Sequence, residues 1–131
     1  GVGVVDACLK VLHENRGGQH DINAYLDVQE DDLQAARDAL VSDADRLAAQ
    51  AQAGTAALLP VLRLRAAASE LALRAGNAAV LHAGARGYIR RHAAQRLLRE
   101  AVFVAIVTPA LKHLRKEIHD LEQSALRAEA A

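Results

Sequence analysis

The sequence predicts an all-α protein, and composition, periodicity and the position of the breaks together carry that prediction. Hydrophobic residues make up 52% of the 131 residues and aromatic residues only 2%, so the core must consist mainly of Ala, Leu and Val, in closely packed helices. Apolar positions recur every three or four residues, and no strand-like alternation appears. Glycine and proline breaks separate five helical segments. We therefore predict an antiparallel four-helix bundle with a fifth, broken or bent helix, in a single domain spanning residues 1–131.

The first two helices are predicted from their end signals. Residues 2–15 form the first helix, and the segment "RGG" from Arg16 to Gly18 ends it as a glycine C-cap. After a loop of about ten residues, Asp27 and Glu30 have the spacing of a capping box, and the second helix runs from there to about Gln52. Its core-facing stripe comprises Leu33, Ala36, Leu40, Ala44 and Leu47.

The third helix is predicted to be the central one. Thr55 is its expected N-cap, Pro60 is tolerated because it lies near the helix start, and the helix extends to about Ala83. Apolar side chains lie on almost every side of it, and small residues allow neighbours to approach closely. It should therefore be the most buried helix.

Two glycines and a tyrosine mark the turn that follows the third helix. The fourth helix is expected from about Ala93 to Val107, and Thr108-Pro109 should restart a fifth, with Thr as the cap and Pro at the first helical position. The apolar stripe of the fifth helix comprises Leu111, Leu114, Ile118, Leu121 and Leu126. The uninterrupted apolar run at residues 102–107 is more than a small bundle can cover, so we expect self-association or a partner.

Charge and cysteine content restrict the partners and the compartment. Sixteen basic and sixteen acidic residues cancel, so no global field draws the chain to nucleic acid or to an anionic membrane. No apolar run approaches the roughly 18 residues of a membrane span. The single Cys8 excludes an intrachain disulfide, is expected to be a buried inert thiol, and suits a reducing, cytoplasmic location.

No catalytic residue or metal site is assigned from these patterns. The Glu-x-x-His pairs of di-iron bundles are absent. His113 and Glu117 share a helix face, but neighbouring Lys and Arg residues indicate a solvated surface. The serines lie inside helices, with no strained turn to present a nucleophile. An unrelated metal-dependent bundle enzyme therefore has little support.

The turn and the helix after it resemble a known family. Ala83-Gly84-Ala85-Arg86-Gly87-Tyr88, followed by Arg96-Leu-Leu-Arg99-Glu100-Ala101, is similar in order and spacing to the H-G-G-x-G-Y and R-x-x-R-D-A motifs in the C-terminal helical domain of acyl-CoA dehydrogenases. The segments "SELALRAGNAAV" from Ser69 and "YLDVQEDDLQAARDAL" from Tyr25 resemble two further helices of that domain. The resemblance covers essentially the whole chain.

The resemblance implies the C-terminal part of a larger flavoprotein that oxidises acyl-CoA at the α and β carbons. It implies FAD as cofactor, with Arg16 contacting the pyrophosphate of a neighbouring subunit's FAD, and Gly84, Ala85 and Gly87 allowing the backbone to approach the flavin. It also implies an oligomer interface, so the expected partners are further copies of the chain or an N-terminal polypeptide, together with the acyl-CoA substrate of the complete assembly.

Departures from the family pattern limit what this chain should do alone. Thr108 stands where many members carry the catalytic glutamate, and a hydroxyl cannot accept a proton as a carboxylate does. Residues 17–20 replace an expected aromatic-glycine pair, and Ala83 replaces the motif histidine. The chain alone is therefore expected neither to hold FAD tightly nor to dehydrogenate acyl-CoA. The alternative is a non-catalytic helical module for oligomerisation or interaction.

Overall fold

The computed structural model describes residues 1–16, 20–107 and 109–130, and within them the chain is helical and has no strand. The predicted all-helical fold class is confirmed. The elements are α1 (Val2–Glu14), α2 (His20–Asn23), α3 (Glu30–Gln52), α4 (Leu58–Ala83), a 3₁₀ turn (Gly84–Tyr88), α5 (Ala93–Ile106) and α6 (Leu111–Glu129). The short α2 lies in the predicted loop and was not foreseen.

Helix α4 is the centre of the bundle, as predicted, and packs against α1, α3, α5 and α6. Its buried positions are mostly alanine, and Gly76 marks the closest approach of α5. A Cβ at Gly76 would lie 3.1 Å from the Cβ of Ala101 and 3.2 Å from the Cα of Leu98. The small residues of α4 therefore let the α5 backbone approach closely.

The helices alternate in direction, and cross-helix ion pairs fix their register. Arg37 of α3 pairs with Asp6 of α1 near one end, and His13 Nδ1 lies 3.4 Å from Glu30 Oε1 near the other, so α3 runs antiparallel to α1. Helix α4 then returns in the direction of α1. The bundle thus has the predicted up-and-down arrangement.

Helices α5 and α6 together occupy the position of the fourth helix of the bundle. Both run antiparallel to α4, α5 along its second half and α6 along its first half. Two ion pairs set the register of α6, Arg115 with Glu70 and Arg63 with Glu122. Helix α5 ends at Ile106 and α6 begins at Leu111, so the break between them lies where the sequence predicted it.

The apolar interior is divided into a main core and a smaller cluster. The main core joins α1, α3, α5 and the second half of α4. The smaller cluster contains Leu62 and Ala66 of α4 and Leu114 of α6. Cys8 belongs to the main core and is completely buried, which confirms its predicted position. Burial, with a smaller contribution from the charge of Glu100, raises the pKa of the Cys8 thiol to about 11.

The start of α3 differs from the prediction. Gln29, in extended conformation, is the N-cap, and its backbone N–H donates to Asp32 Oδ2 at 3.0 Å. The capping-box prediction for Asp27 and Glu30 is therefore wrong, because Glu30 is already the first helical residue and Asp27 lies outside the helix.

Two other predicted helix starts need correction. Thr55 does not cap α4, because its hydroxyl donates to the Gln50 carbonyl at the end of α3, and Ala57 is the N-cap instead. Pro109 is not the first residue of α6, since the extended Ala110 separates it from the helix. The predicted cap at Thr108 lies outside the described residues.

The helix stripes agree with the prediction except at one position. Leu33, Leu40 and Leu47 of α3 are buried as expected. On α6, Leu114 is buried and the next stripe residues are partly buried, but Leu126 is 58% exposed. The prediction is wrong for Leu126 because the described core beneath α6 contains only two α4 residues, Leu62 and Ala66.

Candidate functional site

The predicted cofactor residues lie at one end of the bundle, where α1 ends, α3 begins and α4 turns. Arg16 follows α1, and its side chain is about half exposed. Its Nε lies 2.7 Å from Glu30 Oε2 and its Nη2 lies 3.2 Å from Asp31 Oδ1. The Glu30 contact is an ion pair by distance without the angle of a hydrogen bond. The guanidinium is thus tied to two carboxylates in the first turn of α3.

The 3₁₀ turn places Gly84, Ala85 and Gly87 beside the end of α1. Arg86 of the turn donates from Nη2 to Asn15 Oδ1 at 3.3 Å, so the turn and the residue preceding Arg16 are neighbours. The structure therefore brings the four predicted cofactor residues to the same end of the molecule. Ala85 is exposed there.

The fold itself explains why both positions 84 and 87 of the turn are glycine. Gly84 has φ +61°, a conformation that strains any residue with a Cβ. Gly87 is buried, and a Cβ at that position would lie 2.7 Å from the Val80 carbonyl oxygen. Chain reversal and packing on α4 account for these glycines without a ligand.

A buried polar network that the sequence did not reveal fastens the loop before α3 to the end of α4. His82 is 5% exposed, and its Nε2 lies 2.8 Å from the Val28 carbonyl oxygen, so Nε2 carries the hydrogen. Asn23 donates from Nδ2 to the His82 carbonyl at 3.2 Å, and Gln29 donates from Nε2 to the Asn23 carbonyl at 3.0 Å. The one signal in the sequence is a histidine among the apolar residues of the last turn of α4.

A small cavity of about 280 Å³ lies between this network and Arg16. Its lining includes Leu12, Asn23, Glu30 and His82. Glu30 contributes an acidic group to this lining, and Asp31 lies beside it. An anionic pyrophosphate placed there would face the Glu30 carboxylate, which already pairs with Arg16.

The described residues therefore do not fit a flavin by themselves. Arg16 already pairs with Glu30 and Asp31. Gly84 is required by its positive φ, and Gly87 by its close packing on α4. Residues 17–19, where the family's aromatic-glycine pair is replaced, lie outside the described part of the chain, as does Thr108. Glu100, the nearest acidic alternative to Thr108, forms a structural ion pair with Arg96.

A second candidate surface runs along the outer side of α5, which we call the α5 groove. This open groove of about 1150 Å³ is lined by Tyr88, Arg90, Arg99, Val102, Phe103 and Ile106, among others. Phe103 is 61% exposed and Ile106 is 64% exposed. Much of the apolar run at residues 102–107 is thus left uncovered by the chain itself, as the sequence predicted.

Other classes of site find no support among the described residues. No group of three or more His, Cys, Asp or Glu side chains is arranged to hold a metal ion. His113, Glu117 and His119 are exposed on α6. In the described part of the chain, no helix combines the length and apolar character that crossing a membrane requires.

Comparison of the chain with protein-family models, with curated proteins and with solved structures gives no match. The candidate site is therefore interpreted from its own geometry and from the motifs at Gly84 and Arg99.

Proposed function

We propose that this chain is the C-terminal helical bundle of an acyl-CoA dehydrogenase-like flavoprotein. In that assembly it forms part of the oligomer interface and contributes one edge of an FAD site for α,β-oxidation of an acyl thioester. The observation that carries the proposal is the shared location of Arg16 and the Gly84–Tyr88 turn, joined by the contact between Arg86 and Asn15. A cytoplasmic location, in keeping with the free thiol of Cys8, belongs to the same proposal.

The proposal assigns the remaining flavin contacts to other parts of the assembly. A large cofactor needs enclosure from several sides, whereas this end of the bundle offers one face and a small cavity. For Arg16 to reach a phosphate, its contact with the highly exposed Asp31 must be exchanged for one with the ligand. The binding site for the acyl thioester and the catalytic base are likewise expected in other parts of the assembly.

The test is flavin retention by the chain alone and by a longer form that includes the coding region upstream of Gly1. We expect the chain alone to purify without flavin and the longer form to purify with FAD and to reduce a dye with acyl-CoA. In the longer form, Arg16→Ala should weaken FAD retention, whereas Arg46→Ala, at an exposed ion-paired arginine of α3, should leave it unchanged. Stoichiometric flavin on the isolated chain, or equal retention by both variants, would contradict the proposal.

A second candidate function is a helical oligomerisation or interaction module without flavin chemistry. The neutralised Arg16 and the exposed apolar side chains of the α5 groove favour it. It predicts that the longer form yields a stable assembly without bound flavin.

A further inference from the structure

Charge is strongly segregated in this chain although its formal net charge is zero. Residues 27–45 contain seven acidic residues and one arginine, and residues 86–99 contain five arginines and no acidic residue. The first segment forms the start and middle of α3, and the second forms the turn and the start of α5. Helices α3 and α5 each pack on α1 and α4 rather than on each other, so the two charged segments occupy opposite corners of the bundle.

The outer face of α3 carries what we call the acidic stripe. Asp31, Asp38 and Asp45 recur every seven residues and therefore lie on one side of the helix. The residues between them on that side are small. The six members, all exposed, are Asp31, Ala35, Asp38, Ser42, Asp45 and Ala49.

The outer face of α5 repeats that spacing with large and basic side chains. Gln95, Arg99, Val102 and Ile106 follow one another at intervals of four, three and four residues, and Phe103 stands beside them. These residues line the α5 groove together with Arg96 and Glu100, which pair with each other. No described carboxylate lies within 4.0 Å of the charged nitrogens of Arg90 or Arg99.

We propose that the α5 groove of one copy binds the acidic stripe of a second copy. The small residues of the stripe leave room for Phe103 and Ile106, so large side chains meet small ones across the contact. Arg90 and Arg99 meet the carboxylates of the stripe, where Asp45 has no ion pair among the described residues and Asp31 and Asp38 already pair with Arg16 and Arg37. An isologous contact between two α5 grooves would instead place arginines of both copies in one interface.

The contact joins two different surfaces, so a pair of copies keeps one free stripe, on the first copy, and one free groove, on the second. Such a heterologous contact adds further copies and forms a ring or an open chain, depending on the rotation between neighbours. This inference specifies the partner in the oligomer interface of the proposed function. It does not depend on flavin, so the FAD test and the association test can fail separately.

The experiment measures mass by sedimentation at micromolar concentrations for the wild type, an acidic-stripe variant and a groove variant. The acidic-stripe variant carries Asp38→Lys and Asp45→Lys. The groove variant carries Phe103→Ser and Ile106→Ser, at exposed positions that the fold does not require. The matched control, Glu117→Lys with Glu129→Lys, makes the same charge change on exposed positions of α6.

We expect the wild type and the control to associate with rising concentration. Each of the other two variants should lose about a hundredfold or more in association constant, because like charges now face each other or the apolar contact is gone. An equimolar mixture of the two variants should form a complex that stops at two chains, since the mixture contains one intact groove and one intact stripe per pair. Circular dichroism confirms that each variant is folded.

Three results would overturn the inference. A monomeric wild type would mean that the groove takes another partner or none. An acidic-stripe variant that still associates would point to the isologous contact between grooves. A mixture that remains monomeric would show that groove and stripe do not recognise each other.

Discussion

Along the second half of α4, small side chains bring α1 and α5 close to the helix, whereas along its first half leucines and two ion pairs hold α6. At Gly76 the α5 backbone is so close that a Cβ would touch it. The cluster under α6 has three buried residues, Leu62, Ala66 and Leu114. One continuous helix thus supports a large core shared by four helices and a small cluster shared by two.

The two regions of α4 should differ in how cooperatively they unfold. Removing support from the main core weakens several helices at once, so its loss should appear as global unfolding. Removing support from the small cluster affects α6 and the start of α4, so its loss should appear as local opening. Four predictions test this comparison.

The largest effect is expected for Leu97→Ala in α5. Leu97 is 2% exposed within the main core, and its truncation leaves a cavity that the close packing around Gly76 prevents from collapsing. We expect a loss of about 4 kcal/mol in the free energy of unfolding. Denaturant unfolding followed by circular dichroism measures it, and a loss below about 1 kcal/mol would remove the distinction between the two regions.

The second prediction uses the pKa of Cys8 in the main core. Burial raises it from 9.0 to about 11, so the folded state holds the proton more tightly than the unfolded state. The resulting stability is present below pH 9 and is lost as pH rises through about 11. A rise of this size in the pKa corresponds to roughly 3 kcal/mol of stability. Cys8→Ala, compared with the wild type over this range, should remove that part of the pH dependence, and parallel curves would contradict it.

The third prediction concerns Leu114→Ala, the counterpart of Leu97→Ala in the small cluster. Leu114 is also 2% exposed, but the single pair of helices around it can partly close the space. We expect a cost of about 2 kcal/mol, at the lower end for such a truncation. Hydrogen exchange should become faster in α6 while the amides of α1 and α5 keep their protection. Equal acceleration throughout the bundle would mean that α6 unfolds together with the main core.

The smallest effect is expected for Arg115→Ala, which removes the pair with Glu70. The arginine side chain is 65% exposed, so solvent screens the interaction and its loss should cost at most about 1 kcal/mol. Exchange of α6 amides, compared between low and high salt, isolates the electrostatic part. A cost similar to that of Leu114→Ala would show that ion pairs rather than leucines hold α6.

The sequence predicted the helices because their signals are local. The leucine stripe of α3, the central position of α4 and the break near Pro109 each follow from spacing or from residue type within one segment. The capping signals were less reliable. Asp27 and Thr55 can cap helices, but the helices start at Glu30 and Leu58, and the Thr55 hydroxyl donates to the end of α3 instead.

The contacts of the candidate site could not be predicted in the same way. The pairs of Arg16 with Glu30 and Asp31 depend on how three helix ends meet in space, and no pattern within α1 reveals them. His82 was missed for the same reason, since its partner Val28 lies 54 positions away in the chain. The exposed α5 face was foreseen because an apolar run without interruption is itself a local signal.

The separation of the acidic stripe from the arginines of α5 has a consequence for handling the molecule. The sequence pI of about 7.2 describes the sum of the charges and says nothing of their placement. A resin of either sign meets a complementary corner of the bundle near neutral pH, so the chain should be retained by both cation and anion exchangers at low ionic strength. Isoelectric focusing would report a neutral molecule, while chromatography would report one with two charged poles.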